Sequence, residues 1–373
     1  MATTWVGRTL LRSLYYGYHA RAFLRRRTSS HLGAQANRSE FYELIWSEAA
    51  HALGATLRRI GHGVLEIRRG SLVTRVRQNC TTMDDAITLA LAGNKPLTYR
   101  LFADCGVRVP RYAEFTLDEV QRAARFLREA KGECVVKPAA DTGGGLGVTT
   151  GIQTSWQLAR AAANATVYGN DLLIQEQVPG DNYRLLYLDG MLLDAVVQKP
   201  PTVKGDGRSP VRSLVRQANT RRLEKGACIS QGLLSVDPDM RQTLDAQGLK
   251  LSSVPREGQT VVLKTAINEN MGEDNRTATA MLCQSIIDEV ALASRTVGAR
   301  LAGVDIITTN PSVPLRESGG AIIEVNTTPG FYWHYQKADG PFPVAYHVLQ
   351  FLMGGEDDWN ERQTSDQKFS MMA

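Results

Sequence analysis

The sequence has few cysteines and no long apolar run, and these absences exclude several classes of protein. Its five cysteines include no Cys-x-x-Cys pair, which argues against a zinc site and against a disulfide framework. No apolar stretch reaches the roughly 18 to 20 residues that a transmembrane helix needs. We therefore expect a protein of the reducing cytoplasm.

Acidic residues are missing from the N-terminal arm, residues 1–39, which carries seven arginines among apolar and aromatic residues at near-helical spacing. Such a segment is typical of an organelle transit peptide or a helix on a membrane surface. The alternative that we favour is a helical extension packed on the body of the protein or on a partner subunit, for example in a homodimer. Tyr15, Tyr16 and Tyr18 are bulky for a removable signal.

Length and charge set further limits. At 373 residues, of which 43% are hydrophobic and 22% charged, the chain can form two or three subdomains with a sizeable core. The net charge is +5, but the excess arginines cluster in the arm, without RNA-binding aromatic motifs or zinc-ligand spacing. We therefore expect no nucleic-acid partner.

A strand that ends in a lysine and runs into a glycine-rich loop is the most informative stretch. Val135 and Val136 precede Lys137, and Pro138 ends the strand because it lacks a backbone donor. Four glycines follow within five positions: Gly143, Gly144, Gly145 and Gly147. Glycine lets backbone N–H groups converge on an anion, so the stretch suits a polyphosphate. Taken alone, it fits a flexible hairpin turn equally well, and it matches neither the Walker A nor the Rossmann motif.

Two apolar strands near the C-terminus carry a second group of polar residues. Asp305 lies on one strand, and Glu324 and Asn326 lie on one face of the other because side chains alternate with period two. Antiparallel pairing of the strands would bring Asp305 beside them. Buried carboxylates need a partner, and this oxygen-rich set suits Mg²⁺. The alternative is one exposed strand face with scattered polar residues.

Periodicity predicts mixed helices and strands along the whole chain. We expect helices over residues 40–53, 83–91 (capped by Thr81 or Thr82), 117–131 and 277–298, and a hairpin between residues 57–67 and 72–76. Residues 216–258 are polar and mixed and indicate no site. The expected units are the arm (1–39), a small α/β unit (40–93), the glycine-loop unit (94–170), the carboxylate unit (171–354) and a polar tail (355–373).

At these motifs the chain resembles the ATP-grasp carboxylate–amine ligases, in the branch of cyanophycin synthetase and the glutathione-synthesising fusion enzymes. The resemblance covers about residues 40–352 and depends on motifs that follow one another in the family's order. These motifs are Asn94-Lys95-x-Leu97-Thr98, Val135-Val136-Lys137-Pro138 with the glycine loop, residues 178–184, Gly205-Asp206-Gly207, Ala302-Gly303-Val304-Asp305, and residues 314–331.

The resemblance implies an α+β fold, with a small N-terminal α/β unit followed by two α+β subdomains (94–170 and 171–354) that enclose ATP. It implies that Lys95 and Lys137 contact the phosphates. The loop of Thr142, Gly143, Gly144, Gly145 and Gly147 would close over the β- and γ-phosphates. Adenine would contact Gln175, Glu176, Gln177 and Val178, and the ribose would contact Asp181 or Asn182. Asp305, Glu324 and Asn326 would hold Mg²⁺ or Mn²⁺.

The implied reaction is ADP-forming: a small-molecule carboxylate is activated as an acylphosphate and then joined to an amine. Arg184, Arg316 and Arg276 are candidates to bind a carboxylate or the acylphosphate, and a surface ion pair is the alternative for each. The substrates cannot be transferred from the family, because residues 197–201 and 268–276 depart from its pattern. We expect amino-acid-like substrates of a biosynthetic pathway. The competing hypotheses are an ATP-grasp phosphotransferase and a non-catalytic nucleotide-binding protein.

Overall fold

The computed structural model describes residues 2–25, 29–140, 142, 145–224, 233–267, 269–270 and 274–354. The arm forms helix α1 (Ala2–Arg25), and α2 spans Ser29–Ala52. The expected boundary after residue 39 falls inside α2, because no proline interrupts the helical pattern across it. Helix α2 therefore joins the second half of the arm to the small unit that follows.

A three-stranded antiparallel sheet and a short helix complete this small unit. Its elements are β1 (Thr56–Gly61), β2 (Val64–Arg69), β3 (Leu72–Val76) and α3 (Ala86–Ala92). The expected single strand over residues 57–67 is wrong, because Gly61, His62 and Gly63 all have positive φ and form a turn. Helix α3 also begins later than expected. Its cap is Asp85, whose carboxylate accepts the Thr88 N–H at 2.8 Å.

The next unit contains a four-stranded antiparallel sheet in the order β4-β7-β5-β6. Its elements are α4 (Lys95–Asp104), β4 (Tyr112–Phe115), α5 (Val120–Glu129), β5 (Cys134–Pro138), β6 (Thr149–Ile152), α6 (Ser155–Ala165) and β7 (Leu172–Glu176). The helix expected over residues 117–131 is a 3₁₀ turn at Leu117–Glu119 followed by α5. Helices α5 and α6 cover one face of this sheet and bury its apolar residues. Helix α1 packs against α6, which agrees with the favoured interpretation of the arm.

The remaining strands build a five-stranded antiparallel sheet and a small two-stranded sheet. The elements are β8 (Asp181–Leu188), β9 (Met191–Gln198), β10 (Thr202–Lys204), α7 (Val211–Glu224), α8 (Pro238–Ala246), β11 (Thr260–Val262), β12 (Arg276–Thr277), α9 (Gln284–Val297), β13 (Leu301–Thr308), α10 (Leu315–Ser318), β14 (Ala321–Thr327), α11 (Tyr332–Tyr335) and α12 (residues 344–354). The large sheet has the order β12-β9-β8-β13-β14, and α9 packs on it.

One long helix is shorter than the sequence predicted. Helix α9 begins at Gln284 rather than near residue 277, because Arg276 and Thr277 pair with β9 as an edge strand. The Ala278 N–H extends this pairing to the Ala195 carbonyl at 2.7 Å. In the part of the chain that the structure describes, no helix combines the length and apolarity needed to cross a membrane.

Candidate active site

A cavity of about 270 Å³ lies between the four-stranded and the five-stranded sheets. Its lining brings together groups that are far apart in sequence. Of the predicted site residues it includes Lys95, Lys137, Thr142, Gly145, Gln175, Gln177, Val178, Asn182, Arg184, Asp305, Glu324 and Asn326. The glycine-loop stretch and the polar strands near the C-terminus therefore face one space.

Two buried lysines lie on the side of the four-stranded sheet. Lys137 is on β5, and its Nζ donates to the Tyr99 hydroxyl at 3.2 Å. Burial, with Lys95 nearby, lowers the pKa of Lys137 to about 7. Lys95 begins α4, where Asn94 caps the helix by accepting the Leu97 N–H at 3.0 Å. The two amino groups, which are positively charged when protonated, therefore both have access to an anion in the cavity.

The opposite wall carries the predicted acidic residues in register. Asp305 on β13 lies opposite Glu324 on β14, and Gly303 lies opposite Asn326. The Asn326 side-chain amide donates to Asp305 Oδ2 at 3.2 Å, and Lys95 Nζ lies 3.1 Å from Glu324 Oε1. The antiparallel pairing expected from the sequence therefore forms.

Burial affects the two carboxylates differently. It raises the pKa of Asp305 to about 6, although Arg184 opposes this rise. Burial also acts to raise the pKa of Glu324, but Lys95 and Lys137 outweigh it and hold that pKa below its ordinary value. Asp305 is thus the carboxylate whose negative charge is less fully compensated by the protein.

The donor chemistry of this wall fits a hard divalent cation. Two carboxylates and one amide oxygen supply the ligand type that Mg²⁺ prefers, and Mg²⁺ ordinarily completes its shell with water and phosphate oxygens. No group of three or more His, Cys, Asp and Glu side chains is arranged for a metal among the described residues. A cation here would therefore depend on Asn326 and on oxygen atoms of the substrate.

The segment that is expected to contact adenine, residues 175–178, lies along the cavity. Gln175 and Gln177 face the cavity, whereas Glu176 points away and lies 3.6 Å from Arg111 Nε. Gln177 is fixed because its Oε1 accepts the Gly151 N–H at 2.7 Å. The two ribose candidates also separate: Asn182 lines the cavity, while Asp181 is exposed and its Oδ2 lies 2.9 Å from Lys199 Nζ.

Of the glycine-rich loop, Thr142 and Gly145 line the cavity, and Gly143 and Gly144 lie outside the described residues. Gly147 is not in the lining, but it has a positive φ of +76°. A Cβ at this position would lie 2.8 Å from the Tyr168 ring and 3.0 Å from Pro138. Glycine is therefore needed there for both conformation and space.

The three candidate arginines occupy different environments. Arg184 lines the cavity between Asp305 and the Gly303 carbonyl, to which its Nη1 donates at 3.0 Å. Arg316 on α10 and Arg276 on β12 are both exposed, and neither lines the cavity. Roles for these two in substrate binding remain predictions.

The sequence analysis missed the part of the cavity wall formed by Thr265, Ala266 and Ile267. Buried Asp239 on α8 supports this wall, since its two carboxylate oxygens accept the N–H groups of Thr150 (2.8 Å) and Ala266 (3.0 Å). Thr150 also lines the cavity. Asp239 thus joins the two sides of the cavity. Its position in a polar, mixed stretch gave no periodic signal.

Next to this wall, the buried Lys264 ammonium lies 2.6 Å from Asp237 and 2.8 Å from Glu269. The carboxylates Asp237, Glu269 and Asp239 together raise the pKa of Lys264, against the lowering effect of burial. Ser235 also accepts a hydrogen bond from Lys264 at 2.9 Å. Lys264, which directly precedes the wall residue Thr265, is therefore held in one position by two carboxylates and a hydroxyl group.

No protein-family model matches the chain, but the chain is similar in sequence and in structure to known proteins. The chain is 32% identical over 300 residues to cyanophycin synthetase of Nostoc sp., covering 78% of this chain and 32% of that protein. It is 28% identical over 317 residues to the glutathione biosynthesis bifunctional protein of Listeria innocua, covering 83% of this chain and 41% of that protein. The chain thus spans about a third of the length of the first of these relatives.

A solved structure shows a similar fold. The crystal structure of a bifunctional glutathione synthetase from Pasteurella multocida matches 81% of this chain and 41% of its own, with a TM-score of 0.52 and 24% identity. The resemblance inferred from the motifs is therefore confirmed: the chain has the α+β ATP-grasp fold and is similar in sequence to cyanophycin synthetase and to the glutathione biosynthesis bifunctional protein.

Proposed function

We propose that this chain is an ATP-dependent, ADP-forming ligase that activates a substrate carboxylate as an acylphosphate and joins it to an amine. One observation carries the proposal: Lys95 and Lys137 line a single cavity together with Asp305, Glu324 and Asn326. Phosphoryl transfer requires positioned cations and oxygen ligands more than covalent chemistry from the protein. The similarity to cyanophycin synthetase and to glutathione biosynthesis enzymes supports the same assignment.

In this proposal ATP lies with its phosphates toward the two lysines. The loop that includes Thr142 and Gly145 covers the phosphates, and the base lies along Gln175, Gln177 and Val178. Asp305, Glu324 and Asn326 would hold Mg²⁺ or Mn²⁺, which supplies charge neutralisation at the phosphate oxygens when bound. Asn182 is the ribose candidate that has access to the cavity.

The proposed reaction has two steps. A carboxylate oxygen of the acid attacks the γ-phosphorus of ATP, the bond to the β-phosphate oxygen breaks, and ADP leaves. The amine nitrogen then attacks the acyl carbon of the acylphosphate, phosphate leaves with the bonding electrons, and the nitrogen loses a proton. Arg184 lies beside Asp305 in the cavity wall, and in this proposal its guanidinium would hold the anionic acyl group.

The partners in the proposal are a small carboxylic acid and a small amine, both amino-acid-like, in a biosynthetic pathway. We also propose a cytoplasmic enzyme, because Cys80, Cys105, Cys134 and Cys283 are free thiols. A homodimer and the absence of nucleic-acid binding stay predictions. Light scattering and a DNA- and RNA-binding assay test them directly.

The decisive experiment measures ADP and phosphate release from Mg·ATP with single amino acids and then with pairs, followed by mass spectrometry. We expect ADP release that depends on both substrates, and a product mass equal to acid plus amine minus water. A product mass equal to one substrate plus a phosphoryl group would favour a phosphotransferase instead. Nucleotide binding without turnover on a panel that covers all amino-acid pairs would contradict the proposal for this substrate class.

A further inference from the structure

A second and larger cavity, of about 790 Å³, lies between the arm and the body of the protein. Helix α1 forms one side, with Ser13, Leu14, Gly17, Tyr18 and Arg21. The other side comes from α6, α7, α8 and residues 250–252. Among the residues that the structure describes, none lines both this cavity and the candidate active site. We call it the arm cavity.

The charges around the arm cavity are strongly unbalanced. Five cationic side chains line it, and they come from α1, α6, α7, α8 and the following loop: Arg21, Arg160, Arg212, Arg241 and Lys250. The only acidic side chain in the described lining is Asp245. None of the five cations forms an ion pair with another residue in the described part of the chain.

Holding these cations together is unfavourable without an anion. Like charges repel, by about 1 kcal/mol for a pair about 4 Å apart in a water-like dielectric, and salt weakens this repulsion progressively over a screening length of about 8 Å. Apolar contacts fix α7, α8 and the loop that follows α8, since Val211, Leu214 and Leu244 belong to one buried cluster against which Leu251 packs. The fold therefore concentrates positive charge in a concave space.

We propose that the arm cavity binds a small, soluble anion that carries several phosphate groups. Guanidinium groups match phosphate oxygens in a planar, bidentate geometry, and four of the five cations are arginines. The cavity volume lies in the range of small-molecule sites, roughly 300 to 1,000 Å³. The five cations line one concave, partly open pocket, which favours a compact ligand over nucleic acid, because nucleic acid needs an extended basic surface.

The distribution of the five cations between α1 and the body also gives α1 a function in this proposal. Arg21 is on α1, whereas the other four cations belong to the body, so one anion bound between them would link the arm to the body electrostatically. Helix α1 already packs against α6. The anion would therefore strengthen an existing contact. This site is independent of the proposed ligase activity.

The test uses the full chain with a saturating non-hydrolysable ATP analogue, which keeps the active-site lysines occupied. Inorganic tripolyphosphate is then titrated calorimetrically. We expect one saturable site, weakened by at least about tenfold in the double variant Arg160→Glu/Arg241→Glu and also in Arg21→Glu, because each removes an attraction and adds a repulsion. The affinity should fall steeply as salt increases.

The matched control is Arg122→Glu/Arg125→Glu, which places the same charge change on exposed positions of α5. It should bind tripolyphosphate almost as the parent protein does, and circular dichroism should find all variants folded. Equal losses in both double variants, or the absence of saturable binding, would overturn the proposal. So would binding to phosphatidylglycerol vesicles through the same arginines without binding of soluble tripolyphosphate, since that result would indicate a membrane surface.

Discussion

Arg184 and Asp305 are register partners on adjacent antiparallel strands, and the Arg184 Nε lies 3.2 Å from the Asp305 Oδ1. The Arg184 Nη1 also donates to the Gly303 carbonyl, which accepts a second hydrogen bond from the Asn326 amide at 3.2 Å. The guanidinium is therefore held between a carboxylate and the main chain in the wall of the candidate active site. The position of Arg184 depends on space at Gly303.

Substitution Gly303→Ala tests that dependence. The added Cβ would lie 2.7 Å from the Pro329 Cβ and 2.8 Å from the Arg184 Nη1. We expect a loss of about 1 to 3 kcal/mol in the free energy of unfolding, as for other overpacked sites, together with a clear fall in turnover. Denaturant titration and ADP release measure the two effects. The control is Gly132→Ala, where nothing lies within 4 Å of the added Cβ; equal behaviour of the two variants would contradict the prediction.

Substitution Glu324→Gln tests the acidic wall. The change keeps the size of the side chain but removes the charge that lies 3.1 Å from Lys95 Nζ and belongs to the expected cation site. We expect turnover to fall by about 100-fold or more in a folded protein. Steady-state ADP release with varied Mg²⁺ checks this expectation, with exposed Glu317→Gln on α10 as the control. Near-normal turnover at all Mg²⁺ concentrations would remove Glu324 from the site.

The lowered pKa of Lys137 predicts proton uptake on nucleotide binding. In the free protein burial lowers the pKa to about 7, whereas an exposed lysine titrates near about 10.4. Phosphate groups favour the charged form and raise this pKa. Between these two values the complex therefore binds more protons than the free protein, and ADP affinity should fall as the pH rises through that window.

Calorimetry of ADP binding at about pH 8.5, in two buffers of different ionisation enthalpy, counts these protons. We expect uptake approaching one proton per ADP in the parent protein. The variant Lys137→Met should take up none. Proton release by the parent, or equal uptake by the two proteins, would contradict the assignment of Lys137 to the phosphates.

Lys264→Met should destabilise the protein and weaken nucleotide binding together. Removing the ammonium leaves Asp237 and Glu269 without their buried partner, which typically costs about 3 to 5 kcal/mol. Because Thr265 follows directly and lines the cavity, we expect a higher KM for ATP with a smaller change in kcat. The control is exposed Lys131→Met. A stable variant with an unchanged KM would show that Lys264 does not position this wall.

Deletion of residues 1–27 should leave the turnover number of the protein unchanged. The described lining of the candidate active site includes no residue of α1, so we expect unchanged ADP release per active molecule. The truncated protein should be less stable because the face of α6 beneath α1 becomes exposed, and differential scanning calorimetry measures that loss. Loss of turnover in a folded truncated protein would mean that the arm completes the active site or an oligomer.

Much of the candidate site could be predicted from local sequence. The lysine at the end of β5, the glycine loop and the period-two pair Glu324 and Asn326 each depend on rules that act within a few residues. The antiparallel pairing that brings Asp305 beside Glu324 and Asn326 was also expected, because two neighbouring apolar strands carry these residues. These features depend on residues that are close in sequence, and they are present in the folded structure.

Other parts of the site could not be predicted, because they depend on contacts between distant segments. Tyr99 accepts a hydrogen bond from Lys137 across 38 sequence positions. Asp239 bonds to Thr150 from 89 positions away. Arg316 and Arg276, which share their residue type with Arg184, proved to be exposed. Residue type alone does not fix which surface a side chain faces.

The sequence by itself determined which residues are proposed for the chemistry of this protein, namely the lysines, the glycine-rich loop and the carboxylates with Asn326, and through the order of these motifs it predicted the ATP-grasp fold. Only the tertiary structure decided how the two larger sheets enclose a cavity, which arginine enters it, and where the arm lies. The physical reason is the distance along the chain over which each kind of interaction acts. Strand alternation, caps and turns depend on neighbouring residues, whereas burial, altered pKa values and the convergence of Arg21 with Arg160 and Arg241 depend on packing between segments far apart in the chain.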